Sequence, residues 1–149
     1  MIRAAQHAFH QDSEADLIDS ILRDTVAVLD ARLGAVVLAD AENKLQLCAS
    51  LGDPGGRPHF SRALAERCFG SGESALLGSN DSESSDELMA SVLCILLGTA
   101  HRRVGVIQLS RGFRSMPFTE DDLYLADALA GYLSLGIECI RLNQKQRTQ

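Results

Sequence analysis

The sequence lacks most of the short patterns that identify an enzyme or an exported protein. It has no Gly-x-Ser-x-Gly nucleophile motif, no phosphate loop and no Cys-x-x-Cys pair. No run of about 18 apolar residues is present, so we predict no transmembrane helix. Residues 1–7 contain no long apolar stretch of the kind found in signal peptides. These absences favour a cytoplasmic regulatory protein over an enzyme.

Positive charge is also scarce in this chain. Its 149 residues include 14 Lys and Arg against 20 Asp and Glu, which gives a formal net charge of −6. Proteins bind nucleic acid through a basic face that displaces counterions from phosphates, so we expect no direct contact with nucleic acid, and none with a membrane. The length suits one domain, and a hydrophobic share of 46% is ordinary for a globular protein.

The cysteines and histidines form no recognisable metal or disulfide pattern. Three of the four cysteines, Cys48, Cys94 and Cys139, lie in apolar runs, which favours buried, reduced thiols over disulfides. His7 and His10 are three residues apart, but no cysteine pair or carboxylate pattern accompanies them. We predict no metal, no cofactor and no catalytic residue.

Apolar periodicity predicts one domain over residues 13–146, preceded by a flexible tail or linker end at 1–12. The domain begins with a helix that has Ser13 as its predicted N-cap and Gly34 as its predicted stop. It ends with a long helix capped by Thr119, which is followed three residues later by the acidic residue of a capping box.

Between these helices the pattern is that of a sheet. The continuous apolar runs 91–97 and 104–110 predict two central strands that are covered on both faces. A hairpin is predicted over 35–39 and 45–49, with its second strand at the edge of the sheet. A short helix over 62–69, capped by Ser61, and a brief strand at 75–77 follow. The acidic segment 79–87 is predicted to be a solvated loop or, alternatively, a lid over a pocket.

Both long helices are apolar around more than one face. A helix that only covers a sheet needs an apolar stripe of about 100°, so the surplus predicts a second contact, most simply with the same helices of another copy. The residues that we assign to this homodimer interface are Leu17, Ile21, Val28, Leu125, Tyr132, Leu135, Cys139 and Leu142.

At this point the chain resembles the GAF domain, a small-molecule sensory module of signalling proteins. The likeness rests on LDARLGAVVLAD at 29–40, LQLCASLG at 45–52, SVLCILL at 91–97 with VGVIQL at 104–109, and FTEDDL at 118–123. The order and spacing of these segments are more specific than any one of them. The resemblance implies an α+β fold related to the PAS fold: a central antiparallel sheet with the two long terminal helices on one face and a short helix and loops on the other.

The chain departs from the family pattern at two places. The usual Pro-Leu pair at the end of the penultimate strand is replaced by Leu96-Leu97. The nucleotide-phosphodiesterase members carry an Asn-Lys…Phe…Asp-Glu signature, and this chain matches it only at Phe118 and Asp122, with Ser110-Arg111 in the Asn-Lys place. We therefore do not expect cyclic-nucleotide binding, and no cysteine has the context in which family members attach a bilin.

The segment FSRALAER at 60–67, followed by GESALL at 72–77, is similar to GAF domains of bacterial transcription activators that work with an alternative sigma factor. The resemblance implies one domain of a larger regulator, whose output module is an ATPase of such an activator or a kinase. It also implies a ligand on the face opposite the long helices, where Arg62 and the N-terminus of its helix suit an anionic group. The candidate ligand residues are Arg62, Leu88, Met89, Ser91, Leu93 and Gln108.

Two other functions remain open from the sequence alone. In the first, the domain is a ligand-free dimerisation module whose pocket is filled by Leu76, Leu88, Met89 and Leu93. In the second, Cys94 serves a reductase of free methionine sulfoxide, an activity of one GAF branch. That chemistry requires an accessible thiolate of low pKa and a resolving partner, and we expect Cys94 to be buried instead.

Overall fold

The computed structural model describes the backbone of residues 2–52, 60–77, 90–112 and 115–147, and the side chains of 14–52, 60–77, 90–112 and 115–145. Five strands and three helices lie in these ranges. In chain order they are α1 (Ile2–Val28), β1 (Leu33–Ala39), β2 (Leu45–Leu51), α2 (Arg62–Ser71), β3 (Ala75–Leu77), β4 (Ser91–Gly98), β5 (Arg103–Arg111) and α3 (Glu120–Arg147). The predicted acidic loop at 79–87 lies outside the described residues.

The strands form one antiparallel sheet in the order β2-β1-β5-β4-β3. Hairpins join β1 to β2 and β4 to β5, and β5 lies at the centre between β1 and β4. The predicted fold is therefore confirmed, including the position of the second strand at the edge. β3 pairs with only the first half of β4, from Val92 to Cys94.

Each face of the sheet is covered by helices, because successive side chains of a strand point to opposite faces. Along β4, Leu93, Ile95 and Leu97 pack with residues of α1 and α3. The intervening residues pack with α2; they belong to a second cluster formed by Leu33, Val37, Leu45, Ala65, Cys68, Val92, Cys94, Leu96 and Val106. We call these two sides the helix-pair face and the α2 face.

Helix α1 begins earlier than predicted. It starts at Ile2, so Ser13 lies inside the helix and is not its N-cap, and most of the predicted tail at 1–12 has helical backbone. The segment contains no Gly or Pro that would break a helix. Its apolar periodicity is weak, which is why the sequence pattern did not predict a helix there. The domain boundary at residue 13 stays a prediction.

The end of α1 was also predicted wrongly. Asp30 has a positive φ of 50°, and the amides of Asp30 and Ala31 donate to the carbonyls of Ala27 and Val26. This is the bonding of a Schellman motif, with Asp30 in the left-handed position that glycine usually occupies. Gly34 lies in β1 instead, where a Cβ atom would be 2.6 Å from Cγ2 of Val26.

Helix α3 begins as the sequence predicts. The amide of Thr119 donates to Oδ2 of Asp122 at 2.8 Å, and the amide of Asp122 donates to Oγ1 of Thr119 at 3.3 Å. These reciprocal bonds complete the capping box. The preceding residue, Phe118, is buried in the core of the helix-pair face.

By length and composition alone, the segment Glu120–Lys145 of α3 could cross a membrane. The sequence analysis did not anticipate this. Four of its residues, Ala126, Ala130, Leu133 and Ile137, are buried in the domain core, and a core helix can meet the same criterion.

Candidate functional site

The predicted ligand residues do not form one site. Gln108 lies on the α2 face, where its side chain reaches Ser61 and Cys94, and Arg62 is in α2 itself. Ser91 and Leu93 point to the helix-pair face, where the Ser91 hydroxyl accepts a hydrogen bond from the amide of Phe118. The remaining two candidates, Leu88 and Met89, lie outside the described residues. The four candidates that the structure describes are therefore divided between the two faces and do not form one cluster.

The N-terminus of α2 is held against the centre of the sheet. The hydroxyl of Ser61 accepts from the amide of Leu64 at 3.2 Å, which confirms Ser61 as the N-cap. The carboxamide of Gln108 accepts from the Ser61 amide at 2.6 Å and donates to the Ser61 carbonyl at 2.9 Å. Gln108 is buried, so the backbone of Ser61 is fixed over β5.

The C-terminus of α2 is held by the other end of the same strand. The Arg103 guanidinium donates to the carbonyls of Phe69 and Gly70 at 2.8 and 2.7 Å. The helix ends at Gly72, which has a φ of 72°. Because α2 starts beside Gln108 and ends beside Arg103, it runs antiparallel to β5, and its N-terminus points along the strand toward Ser110.

Ser110 is the unusual residue of the α2 face. It is 2% exposed, and its hydroxyl is the buried side-chain N or O atom in the described residues that has no hydrogen-bond partner. Within the sheet it lies between Leu33 of β1 and Val92 of β4, both members of the α2-face cluster. Native proteins seldom leave a buried hydroxyl unpaired. The sequence marked Ser110 only by its place in a central strand and as the residue in the Asn position of the phosphodiesterase signature, and neither observation indicates an unpaired hydroxyl.

The guanidinium of Arg62 does not lie at the N-terminus of its helix. It donates to the carbonyl of Leu45 at 2.9 Å and lies 5.7 Å from the centre of the Phe60 ring. Leu45 is at the end of the sheet where β5 begins, since it pairs with Ala39. There Arg62 lines an open groove of about 580 Å³ with Asn43, Lys44, Leu45, Gln46, Glu66 and Phe69.

The thiols divide into two buried and two exposed groups, and all four are free. Cys94 is buried, as predicted for an apolar run, and Cys68, which lies outside such a run, is buried too. Cys48 is exposed, contrary to the prediction, and Cys139 is exposed in the single chain, as its assignment to the dimer interface requires. Burial raises the pKa of Cys68 to about 12 and that of Cys94 to about 11. Neither thiol is ionised near neutral pH, so Cys94 is not an activated nucleophile of the kind that thiol reductase chemistry requires.

Most of the predicted dimer residues are exposed. Leu17 and Ile21 are the exceptions, because they pack against the core within the chain; Leu17 lies against Gly136 of α3. Cys139 is also exposed. The exposed fractions of the others are 58% for Val28, 43% for Leu125, 72% for Tyr132, 61% for Leu135 and 57% for Leu142.

The exposed apolar residues of α3 follow a heptad spacing. Leu125, Tyr132 and Cys139 are seven residues apart, and Leu135 and Leu142 are seven residues apart on an adjacent row, which also includes Ala128. Each residue turns an α-helix by about 100°, so these positions lie roughly 150° around the helix from the four buried in the core. We call this set the α3 stripe: Leu125, Ala128, Tyr132, Leu135, Cys139 and Leu142.

Arg111 connects the ends of the two long helices. Its guanidinium donates to the carbonyls of Leu29 and Asp30 at the end of α1. It also lies 4.3 Å from the centre of the Phe118 ring and 3.8 Å from the Asp122 carboxylate, at the start of α3. Arg111 therefore fixes the end of β5 to both helices, one residue after the unpaired hydroxyl of Ser110.

No metal site is found among the side chains that the structure describes, since no three His, Cys, Asp or Glu residues lie close enough together to hold an ion. His101 is exposed, and the other three histidines lie outside the ranges with described side chains. No curated protein matches the sequence.

Solved structures with the same fold come from bacterial signalling proteins. A GAF domain/HD domain protein from Geobacter sulfurreducens aligns with a TM-score of 0.69 at 15% identity, over 87% of this chain and 95% of that one. The GAF-B domain of DevS from Mycobacterium smegmatis gives 0.68 at 18%, over 91% and 98%. A domain of a putative two-component sensor histidine kinase from Sinorhizobium meliloti 1021 gives 0.66 at 18%, over 87% and 94%.

At these identities the structural likeness establishes the fold. The sequence itself matches a family model described as GAF domain over residues 13–139, which is most of the chain. GAF domains are in general regulatory and sensory units of signalling proteins. The chain belongs to the GAF domain family.

Proposed function

We propose that this domain is the sensory part of a cytoplasmic signalling protein and that it works as a homodimer paired through the α3 stripe. A small molecule bound on the α2 face would change the packing of α1 and α3 between the two copies. The observation that carries the proposal is the α3 stripe, an exposed apolar row on the side of the helix that the domain core does not use.

A second copy of the chain suits the α3 stripe better than an unrelated partner. Alternating spacings of three and four residues match the seam along which two similar helices pack. The stripe extends over about 25 Å, at 1.5 Å per residue. A two-fold dimer is self-complementary, so the same row serves on both copies. Val28, exposed at the end of α1, adds apolar surface near one end of the domain.

The α2 face supports the sensory half of the proposal. Its two polar residues on β5 differ, because Gln108 is fully bonded to Ser61 while the Ser110 hydroxyl has no partner. Arg111, the next residue, holds both long helices. A ligand that engages Ser110 would therefore act on the strand that positions the dimer helices. Two packings with different ligand affinity are sufficient for transmission.

The output module is proposed from resemblance. The similarity of segment 60–77 to activator GAF domains favours the ATPase of a sigma-factor-dependent transcription activator, and the structural likeness to a domain of a sensor histidine kinase favours a kinase. In either case the paired α3 helices would transmit the signal, because a change in their packing is how the bound ligand would act.

Native mass spectrometry and light scattering during gel filtration test the dimer. We expect the wild-type domain to be dimeric and the double variant Tyr132→Asp/Leu135→Asp to be monomeric with unchanged circular dichroism. Met116→Asp is the matched control, because Met116 is 80% exposed but lies outside α3. A wild-type domain that is monomeric at about 100 µM, or a double variant that stays dimeric, would overturn the proposal.

Cys139 gives an independent test of helix direction. If the two α3 helices are parallel, equivalent stripe positions face each other, and Cys139 lies opposite the partner's Cys139. Mild oxidation should then trap a covalent dimer in the wild type but not in Cys139→Ser. Cys48→Ser, which changes the other exposed thiol, should leave the trapping intact. A covalent dimer that forms through Cys48 would contradict the pairing.

The packing of the α2 face favours a second candidate, a dimerisation module without ligand. The cluster under α2 consists of close-packed side chains from four strands and the helix. Two of the four residues predicted to fill this face, Leu76 and Leu93, pack on the helix-pair face instead, and the other two, Leu88 and Met89, lie outside the described residues. Native mass spectrometry separates the candidates, because a retained non-covalent mass on the dimer excludes the ligand-free module.

A further inference from the structure

We infer that the ligand of the α2 face is a small oxyanion held by the N-terminal amides of α2 and the hydroxyl of Ser110. The inference rests on the proposed function, because it names the chemical class that the sensory site takes. It differs from the expectation that Arg62 binds the anion.

At the start of α2, two backbone amides have no acceptor among the hydrogen bonds of the described residues. The first four amides of a helix segment have no intrahelical acceptor. At α2, the Ser61 amide donates to Gln108 and the Leu64 amide donates to the Ser61 hydroxyl. The amides of Arg62 and Ala63 lie between these two and have no acceptor within the helix. Both point out of the N-terminus along the helix axis.

The direction of α2 brings these donors toward Ser110. The helix is antiparallel to β5, with its start fixed at Gln108 and its end fixed at Arg103. Ser110 is two residues beyond Gln108 on the same face, which is about 7 Å along a strand. The positive end of the helix dipole is therefore directed at the part of the sheet that contains the unpaired hydroxyl.

The Ser110 hydroxyl is the second, independent sign of a ligand. It is buried and without a partner in the described structure, although a hydroxyl donates one hydrogen bond and accepts others. An oxyanion placed between α2 and Ser110 would accept from the hydroxyl and from the two amides. Hydrogen bonds to charged groups are stronger than neutral ones, and helix N-termini bind phosphate and carboxylate groups in many proteins.

The guanidinium of Arg62 takes no part in this arrangement, because it is turned toward Leu45 at the opposite end of the sheet. Recognition by two amides and one hydroxyl selects an oxyanion of small size and does not distinguish a phosphate from a carboxylate. The experiment must therefore include one probe of each kind.

The test is a titration of ¹⁵N-labelled wild-type domain, followed by amide chemical shifts, with inorganic phosphate, acetate and acetamide in turn. Acetamide is a neutral analogue of acetate. We expect the Arg62 and Ala63 resonances to move saturably with phosphate, with acetate or with both, and the stronger of the two defines the anion. Acetamide should produce no saturable change.

Two variants locate the site. Ser110→Ala should raise the Kd of the binding probe roughly tenfold or more, because it removes a hydrogen bond to a charged group. Ser20→Ala changes an exposed serine of α1 and should leave the Kd unchanged. Exchange of Ser110 for Ala also removes an unpaired group, so the variant is expected to fold.

The inference is overturned if neither anion moves the α2 resonances saturably, if acetamide binds as well as acetate, or if Ser110→Ala leaves the Kd unchanged. These outcomes are distinguishable from failure of the proposed function. A domain that remains dimeric through the α3 stripe but binds no anion refutes only the ligand class, whereas loss of the dimer refutes the proposed pairing whichever anion binds.

Discussion

The two faces of the sheet differ in what their buried polar groups do. On the helix-pair face, Ser91 bonds to the backbone of Phe118 and Thr25 bonds to the carbonyl of Ile21, so the polar groups there serve the fold. On the α2 face, Gln108 is bonded but Ser110 is not, and both buried thiols are located there. Among the described residues, the buried polar side chains of the helix-pair face are therefore bonded within the chain, whereas the α2 face contains one that is not.

The largest expected effect comes from two adjacent leucines on opposite faces of β4. Leu97 packs on the helix-pair face and is fully buried, whereas Leu96 packs on the α2 face and is 9% exposed. Substitution of a core leucine by alanine costs about 2–5 kcal/mol, and the cost rises with the cavity that remains. We expect about 4 kcal/mol for Leu97→Ala and about 2 kcal/mol for Leu96→Ala in urea unfolding. Equal losses of stability in the two variants would show that the two faces of the sheet are packed equally tightly at β4.

The second prediction concerns Arg111, which joins β5 to the helix-pair face. The variant Arg111→Met leaves the carbonyls of Leu29 and Asp30 without this donor and should cost about 2–3 kcal/mol. Arg111→Lys should fall between it and the wild type, since lysine keeps the charge but loses the planar fork. Arg23→Met, at an exposed ion pair on α1, should change stability by less than about 0.5 kcal/mol. A similar loss at both arginines would contradict the bridging role.

The third prediction uses the two thiols of the α2 face. Burial holds the pKa of Cys68 near 12 and that of Cys94 near 11, above the ordinary value of 9.0. Between pH 9 and 11 the unfolded thiols lose protons while the folded ones retain them. The free energy of unfolding should therefore decrease as the pH rises, by up to about 1.4 kcal/mol per thiol for each pH unit.

The double variant Cys68→Ala/Cys94→Ala should flatten this alkaline decrease when unfolding is followed in urea at several pH values. Cys139→Ala, which removes an exposed thiol, should retain it. An equal slope in all three proteins would show that other groups cause the alkaline loss of stability.

Local patterns predicted the elements better than they predicted the site. The capping box at Thr119, the cap at Ser61 and the central strands depend on residues close together in sequence, and all three are confirmed. The candidate site failed because the face on which a side chain lies depends on the register between strands. Cys94 pairs with Gln108 and shares its face, and Ser91, three residues before Cys94, lies on the opposite face. The pairing between the two strands cannot be predicted from the sequence pattern of either strand alone.

The same limit applies to the end of α1 and to Ser110. Gly34 is the natural stop from composition, yet the left-handed Asp30 ends the helix. Gly34 serves β1 instead, where a side chain would collide with Val26. Ser110 is an ordinary strand residue in the sequence, and its hydroxyl is exceptional because it is buried without a hydrogen-bond partner in the described structure. Both facts depend on packing between elements distant in sequence.

The smallest expected effect comes from replacing one buried serine on each face. This pair compares the two faces most directly, because the residue type and the substitution are the same. Ser91 and Ser110 are both 2% exposed. Ser91→Ala leaves the Phe118 amide without its acceptor and should destabilise the domain by about 1–2 kcal/mol. Ser110→Ala removes an unpaired hydroxyl and should stabilise the unliganded domain by up to about 1 kcal/mol. Opposite signs in urea unfolding support a binding role for Ser110, whereas destabilisation by both would assign the Ser110 hydroxyl to the fold.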